Sequence, residues 1–281
     1  VSVKTALVTG AASGIGKAVA SALGGQGIRV FAGALNDAEM QAMAGQGGDG
    51  LTPVRLDISD VGSIDAAMAR IGEELGEAAP LDALVNVAGV NLNAPLHVLS
   101  VAEIRQMVEV NLLGTMLLTR AALPLLRRGP GRVILVGSAT AFLPPPAISI
   151  YAATKCGISG LGDSLRMELG MAGLSVSVIE PGVVRTPMTA TAPAVLDRML
   201  ARMETADLSL YETLMRKIVA MSISPKAGVT PEFVAGVIVE CLMATKPKAR
   251  YRVGIDSKAA AVLRHLPDGA RDLIQRKTFG I

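Results

Sequence analysis

A chain of 281 residues, 51% apolar and with a formal net charge of +3, is long enough for one three-layer α/β core. Its 2% aromatic content offers no stacking surface for nucleic acid, and no partner of that kind is expected. Two cysteines and two histidines exclude a disulfide framework and a thiolate or histidine zinc centre, so no metal site is expected. Cys156 and Cys241 are read as small buried apolar residues. No run of roughly eighteen residues lacks both turn formers and charges, so no membrane span is expected. The chain passes from Val1-Ser2-Val3-Lys4 straight into an apolar strand, which leaves no room for a leader and predicts a cytoplasmic protein. From Lys246 onward nine Lys or Arg face three Asp. That reads as a solvated helical surface, with weak peripheral contact to a membrane as the alternative.

In chain order, apolar runs suited to buried parallel strands stand at 6–8, 28–32, 52–56, 81–85, 132–136 and 174–179. Ala/Leu/Met-rich segments of helical period separate them. This alternation predicts βαβ units and a doubly wound parallel sheet with helices on both faces, built as one domain over residues 1–281. A seventh strand at Tyr251-Arg252-Val253 should follow a helix that starts at Pro231 behind the N-cap Thr230. Residues 187–228 break the rhythm with two expected helices, 193–204 and 208–221, and no strand between them. They are read as a substrate lid over the carboxyl edge of the sheet, where ligands bind in this architecture. Residues 256–281 form a carboxyl-terminal extension that could cover a subunit interface, close the cleft or touch a membrane.

Thr9-Gly10-Ala11-Ala12-Ser13-Gly14-Ile15-Gly16 follows the first strand and opens the first helix. Glycine there admits left-handed backbone and close approach of a pyrophosphate, which then faces the free N–H groups of the helix amino terminus. At the end of the second strand Ala34 stands where a carboxylate would bind ribose hydroxyls, and Leu35 where an Arg would accept a 2′-phosphate. With neither signal present, NAD is favoured and NADP is the alternative; Asp37 is a candidate late ribose ligand. Further on, Tyr151 and Lys155 are four residues apart on one helix face, so both can reach one cleft. An ammonium near the phenol should stabilise phenolate and lower its pKa. Ser138, just past the fifth strand, can hold a substrate oxygen beside Tyr151. Asn111 lies inside an expected long helix, where it is a mediocre helix former and could disturb the hydrogen-bond ladder.

The G-x-x-x-G-x-G spacing at Gly10, Gly14 and Gly16, with Tyr-x-x-x-Lys at Tyr151 and Lys155, resembles the short-chain dehydrogenase/reductase family. The likeness extends through Asp57, Asn86-Val87-Ala88-Gly89, Asn111, Ser138 and Pro181-Gly182-Val183-Val184-Arg185-Thr186, and covers nearly the whole chain. The resemblance implies a single-domain Rossmann fold of about seven strands and an NAD(P)-dependent oxidoreductase acting on an alcohol or carbonyl. It assigns Asn111, Ser138, Tyr151 and Lys155 to catalysis, with Asn111 binding a water in a proton relay from Lys155. It assigns Gly10, Ser13, Gly14, Ile15 and Gly16 to the pyrophosphate and adenosine end, Leu35 to the end of the second strand, and Asp57 with Ile58 to the adenine. Asn86, Ala88 and Gly89 would line the middle of the cofactor. Pro181, Gly182, Val183 and Thr186 would hold its nicotinamide, with Val183 and Thr186 on the amide. Val87 departs from the family, which has a second Asn there, and a small loss of polar bracing is expected.

The motifs 31–35, 177–182 and 248–256 resemble the retinol, 17β-hydroxysteroid and 3-hydroxybutyrate dehydrogenase branch. This implies a secondary or lipophilic alcohol and its carbonyl, steroid-, retinoid- or hydroxy-acid-like, as small-molecule substrate, and leaves its size open. The methionines at 188, 199, 203, 215 and 221 would either make an adaptable lid or pack the lid's own helices. An NADPH-dependent 3-ketoacyl reductase ranks second, because an Asp-Gly-Gly ending is absent. A catalytically silent member that senses NAD or binds a partner is the reading from another class. A homodimer or homotetramer is implied, formed through the helices of Asn111 and Tyr151, with Gly157, Gly160 and Gly162 either at that contact or packed on the sheet.

Overall fold

The computed structural model describes residues 3–44, 50–224 and 228–281. Seven strands, β1 (Thr5–Val8), β2 (Arg29–Ala34), β3 (Leu51–Arg55), β4 (Ala83–Asn86), β5 (Arg132–Val136), β6 (Ser175–Pro181) and β7 (Arg250–Val253), pair in parallel in the order β3-β2-β1-β4-β5-β6-β7. The order reverses beside β1. Helices α1 (Gly14–Gly24), α2 (Asp37–Ala44), α3 (Val61–Leu75), α4 (Val101–Val108), α5 (Thr115–Leu126) and α6 (Ser149–Gly170) connect the first six strands. The strands are where the apolar runs predicted, displaced by at most two residues.

Alternation along each strand splits the apolar side chains between two cores. Val30, Ala32 and Ala34 face α1 and α10 (Pro231–Met243), whereas Phe31 joins Leu7, Leu84 and Leu135 against α3, α5 and α6. Both faces of the sheet are therefore covered, as a parallel sheet requires. Helix α10 begins where expected, and the Thr230 hydroxyl accepts the Phe233 N–H at 3.2 Å.

The expected long helix around Asn111 is not continuous α. Residues Glu109–Gly114 form a π turn between α4 and α5. By length and composition the run Val101–Leu126 could cross a membrane, which corrects the expectation that no segment qualifies. Its apolar side chains at Leu118, Ala122, Leu125 and Leu126 are buried on the sheet instead.

At Gly114 the helix backbone comes so close to the loop after β3 that an added Cβ would stand 2.4 Å from the Ile58 carbonyl oxygen. Glycine Gly162 likewise packs on the sheet, its Cβ position 2.3 Å from Val178; Gly157 meets Leu112, and Gly160 faces open space. Cys156 is exposed, contrary to the reading of both cysteines as buried, while Cys241 is buried.

Beyond β6 the chain leaves the sheet as α7 (Pro187–Ala190), α8 (Ala192–Leu200) and α9 (Thr205–Ile223). These pack a third core, in which Met199, Met203 and Met215 are buried with Leu196, Leu200 and Met107. After β7, α11 (Ile255–Leu263) and α12 (Asp268–Phe279) return across the carboxyl edge. Phe279 is buried against Leu214 and Ile218 of α9.

Because no side-chain movement can relieve a clash with a backbone carbonyl, Gly114→Ala should destabilise the protein by about 1–3 kcal/mol. Urea unfolding followed by circular dichroism measures this, and a midpoint equal to that of the parent would contradict the close approach.

Candidate active site

The strands' carboxyl ends deliver the glycine turn after β1, the loop after β4, Ser138 after β5 and the Pro181–Thr186 turn after β6 to one side of the sheet. Between them and the lid lies a cavity of about 480 Å³. Of the residues expected at the site, Gly10, Ser13, Gly14, Ile15, Gly16, Ala88, Gly89, Ser138, Tyr151, Lys155, Pro181, Gly182, Val183 and Thr186 line it. Leu35, Asp57, Ile58, Asn86 and Asn111 do not.

At one end, Gly10 has φ +61°, and an added Cβ on Gly16 would stand 2.2 Å from the Gly10 carbonyl oxygen. The chain can make this turn only without those side chains. It leaves the α1 amino terminus open to the cavity, with helix dipole and unbonded N–H groups available to an anion. The Thr9 hydroxyl accepts the Val87 and Ala88 N–H groups at 2.8 and 2.9 Å. The loop after β4 is therefore braced through its backbone where Val87 has no polar side chain to give.

At the other end, Tyr151 and Lys155 stand one turn apart on α6, the Lys155 Nζ 5.6 Å from the phenol ring centroid. The ammonium donates to the Val136 carbonyl oxygen at 2.9 Å. Ser138 stands beside the phenol and lowers its pKa, and its Oγ accepts the Thr140 N–H at 3.2 Å. Burial pushes the Tyr151 phenol up to about 12, only partly opposed by Ser138. This reverses the expectation of a lowered value, because desolvation outweighs the one opposing influence, Ser138. The same burial pushes Lys155 down to about 8.

Asn111 sits behind this group. Its Oδ1 accepts the Val90 N–H at 2.7 Å, and its Nδ2 donates to the Val90 carbonyl at 2.8 Å and to Thr154 Oγ1 at 3.3 Å. The side chain clamps the loop after β4 to α6, a position that the π turn makes available. Asn86 is buried with its Nδ2 on Thr119 of α5 at 3.3 Å, facing away from the cavity.

Beyond the glycine turn, Leu35 is 52% exposed, and its N–H donates to the Glu39 carboxylate at 2.7 Å. Asp37 pairs with Arg55 at 2.8 Å. Asp57 holds Ser59 through the N–H at 2.9 Å and the hydroxyl at 2.6 Å, while Ile58 is buried among the apolar residues on the α3 side.

The Val183 N–H is already donated to the Asp256 carboxylate at 2.7 Å, so its amide is not open to a ligand as expected. Neighbouring Val184, which also lines the cavity, makes a parallel bridge to Val229 in which Arg185 donates and the Val183 carbonyl accepts. That arrangement turns the Val184 N–H away from the bridge.

Sequence reasoning missed Asn91, Asn93, Thr140 and Leu143 on the walls, together with Asp256, Ala260 and Phe279 from the carboxyl-terminal extension. The extension thus forms part of the cleft wall. No local motif marks these residues; only Asp256, behind Gly254, stood in a quoted segment. Met188 and Met221 line the cavity while Met199, Met203 and Met215 pack the lid core, so the methionines divide between the two expected roles.

Comparison with known proteins agrees with this geometry. Residues 4–196 match the family described as short chain dehydrogenase. The chain is 30% identical to 17-beta-hydroxysteroid dehydrogenase type 6 of Homo sapiens over 98% of its own length and 89% of that protein's. It is 32% identical to retinol dehydrogenase 16 of Homo sapiens, covering 91% and 82%. A short-chain dehydrogenase structure from Streptomyces avermitilis superposes with a TM-score of 0.78 at 25% identity, covering 99% and 97%.

The Lys155 value sets a pH dependence of stability. In the unfolded chain the ammonium persists to its ordinary 10.5, but in the folded cofactor-free protein only to about 8. The unfolded state binds more protons between these values, so this group makes stability rise with pH across that window. Lys155→Met should lack the rise, leaving the two proteins' stabilities to diverge by on the order of 2 kcal/mol between about pH 8 and 10 in urea titrations. Tyr151 acts oppositely above pH 10, because the unfolded chain ionises its tyrosine first.

Proposed function

The chain belongs to the short chain dehydrogenase family, and from that membership we propose that it is an NAD-preferring oxidoreductase interconverting a lipophilic alcohol and its carbonyl. The observation that carries the reading is the single cavity joining the glycine turn to Tyr151, Ser138 and Lys155. The residues fit a dinucleotide: backbone without Cβ atoms and a helix amino terminus at one end, and a phenol flanked by Ser138 and Lys155 at the other. A bound nicotinamide supplies the hydride acceptor or donor.

The protein's part is position and proton transfer. Ser138 holds the substrate oxygen beside the Tyr151 hydroxyl. In carbonyl reduction the neutral phenol, favoured by burial, gives its proton to that oxygen. In alcohol oxidation the phenolate must take the proton, and the Lys155 ammonium stabilises it. Both directions therefore use the same three side chains.

Substrate class follows from the walls. Leu143, Ile148, Met188, Ile218, Met221 and Phe279 make the cavity largely apolar. On the same walls, Asn91 Oδ1, Asn93 Oδ1 and Thr140 Oγ1 are buried without a hydrogen-bond partner. Such atoms are costly unless a ligand or water meets them. The substrate we infer is an apolar skeleton with a second polar group away from the reacting carbon. The steroid- and retinoid-related names of the relatives are consistent with that chemistry.

NAD is favoured over NADP by the two carboxylates, Asp37 and Glu39, gathered after β2, where the nearby Arg55 is engaged by Asp37. A 2′-phosphate would add like charge there.

Tyr151→Phe should lower kcat/KM by about 10²- to 10⁴-fold while NADH still binds, as judged by nicotinamide fluorescence; activity near the parent level would refute the assignment. A panel of steroids, retinoids, secondary alcohols and hydroxy acids, run with each cofactor, should show NAD preferred by about tenfold or more, the equivalent of 1.4 kcal/mol. Asp37→Ala frees the Arg55 guanidinium and should narrow that preference. A strong NADPH preference in the parent would overturn this part of the reading.

A further inference from the structure

We propose that Asp256, from the carboxyl-terminal extension, is a positioning residue that locks the turn after β6 in the geometry that receives the nicotinamide. The inference rests on the cofactor reading above, but its first test does not.

The carboxylate is placed with unusual definition. Its Oδ2 accepts the Val183 N–H at 2.7 Å and its Oδ1 accepts the Ser257 N–H at 2.9 Å. Two glycines make room for it. A Cβ on Gly182 would stand 2.0 Å from the Asp256 carboxyl group, and one on Gly254 would stand 2.5 Å from its Oδ1. Gly254 itself has φ +95°, a conformation that turns the chain sharply from β7 into α11. The carboxylate also sits in the first turn of α11, where the helix dipole favours negative charge.

Its support is rigid. The neighbouring Ser257 is fully buried and donates its hydroxyl to the Glu180 carbonyl at 2.6 Å. The buried Glu180 carboxylate pairs with Arg250 on β7, and Arg250 reaches the Ser159 hydroxyl of α6 at 2.7 Å. A frame of β6, β7 and α6 therefore fixes the position of Asp256. Through Asp256 it fixes Val183, whose carbonyl accepts the Val229 N–H at 3.0 Å. With Val183 held on both sides, the adjoining Val184 N–H and the Thr186 side chain keep a constant attitude toward the cavity. Preorganised donors of this kind bind without reordering cost.

The test begins without cofactor, by amide hydrogen exchange resolved at single residues. The Val183 amide should be protected in the parent and in Asp256→Asn, whose amide oxygen can still accept. In Asp256→Ala it should exchange at least about tenfold faster, the factor expected for losing a hydrogen bond to a charged group. NADH binding, followed by fluorescence, should weaken about tenfold in Asp256→Ala and stay within about threefold in Asp256→Asn. Gly182→Ala, which pushes the carboxylate away while leaving it present, should reproduce Asp256→Ala, and the double variant should bind no more weakly than either single one.

Unchanged Val183 exchange or unchanged NADH affinity in Asp256→Ala overturns the proposal. So does faster exchange spread evenly through β6 and β7, which would mark a role in folding alone. Failure of the catalytic assignment would instead show as turnover surviving Tyr151→Phe with these binding results intact.

Discussion

Holding an ammonium group away from water next to a phenol is unfavourable, and much of the architecture serves to keep Lys155 there. The lysine gains one carbonyl partner, Val136, at the end of the interior strand β5. A parallel sheet with helices on both faces supplies that carbonyl in a dry place, because strand ends emerge under a lid and not into solvent. Burial pushes Lys155 down to about 8 and the Tyr151 phenol up to about 12, which keeps the phenol protonated. On the proposed reading, the protonated phenol is a donor ready before any ligand arrives.

The π turn belongs to the same construction. A regular helix through Asn111 would satisfy every backbone group within the helix and carry the side chain round at 3.6 residues per turn. Widening one turn places the Asn111 amide flat against Val90, using acceptor and donor together. Such turns cost regular hydrogen bonding and persist where surrounding structure pays for them. Here the close contact at Gly114 and the hydrogen bond to Thr154 on α6 supply that surrounding structure.

The fold and the inner half of the site were legible in the sequence because both rest on local rules. Strand positions follow apolar runs, the phosphate-facing turn follows from glycine, and Tyr151 with Lys155 follows from helical spacing. What could not be read depends on distant pieces meeting. Asp256 lies more than seventy residues from the Val183 amide it occupies, and nothing in Pro181-Gly182-Val183 shows that the donor is taken. Phe279 is an ordinary apolar residue near the chain's end until α12 folds back on α9. The division of methionines between cavity and lid core was open for the same reason: helical period gives a face, but not which neighbour covers it. The phenol's pKa was misjudged because a sequence reveals the neighbouring ammonium but not the extent of desolvation.

These two kinds of residue correspond to two parts of the molecule with different tolerances. The proton transfer we propose rests on the sheet, where Val136, Ser138 and α6 are held by backbone bonds and tight glycine contacts, and where displacement by an ångström would matter. The walls that meet the rest of a substrate come from α7, α9, α11 and α12, through flexible Met188 and Met221 and through Phe279. Thioether side chains can repack at little cost. A change in those walls can therefore alter which ligand fits without moving Tyr151. Asp256 is the exception that joins the parts, since it reaches from the peripheral α11 to the turn beside the reacting end of the cleft. Alterations to the carboxyl-terminal segment that shift α11 would be transmitted to that turn, whereas those confined to α12 would be felt only by the substrate.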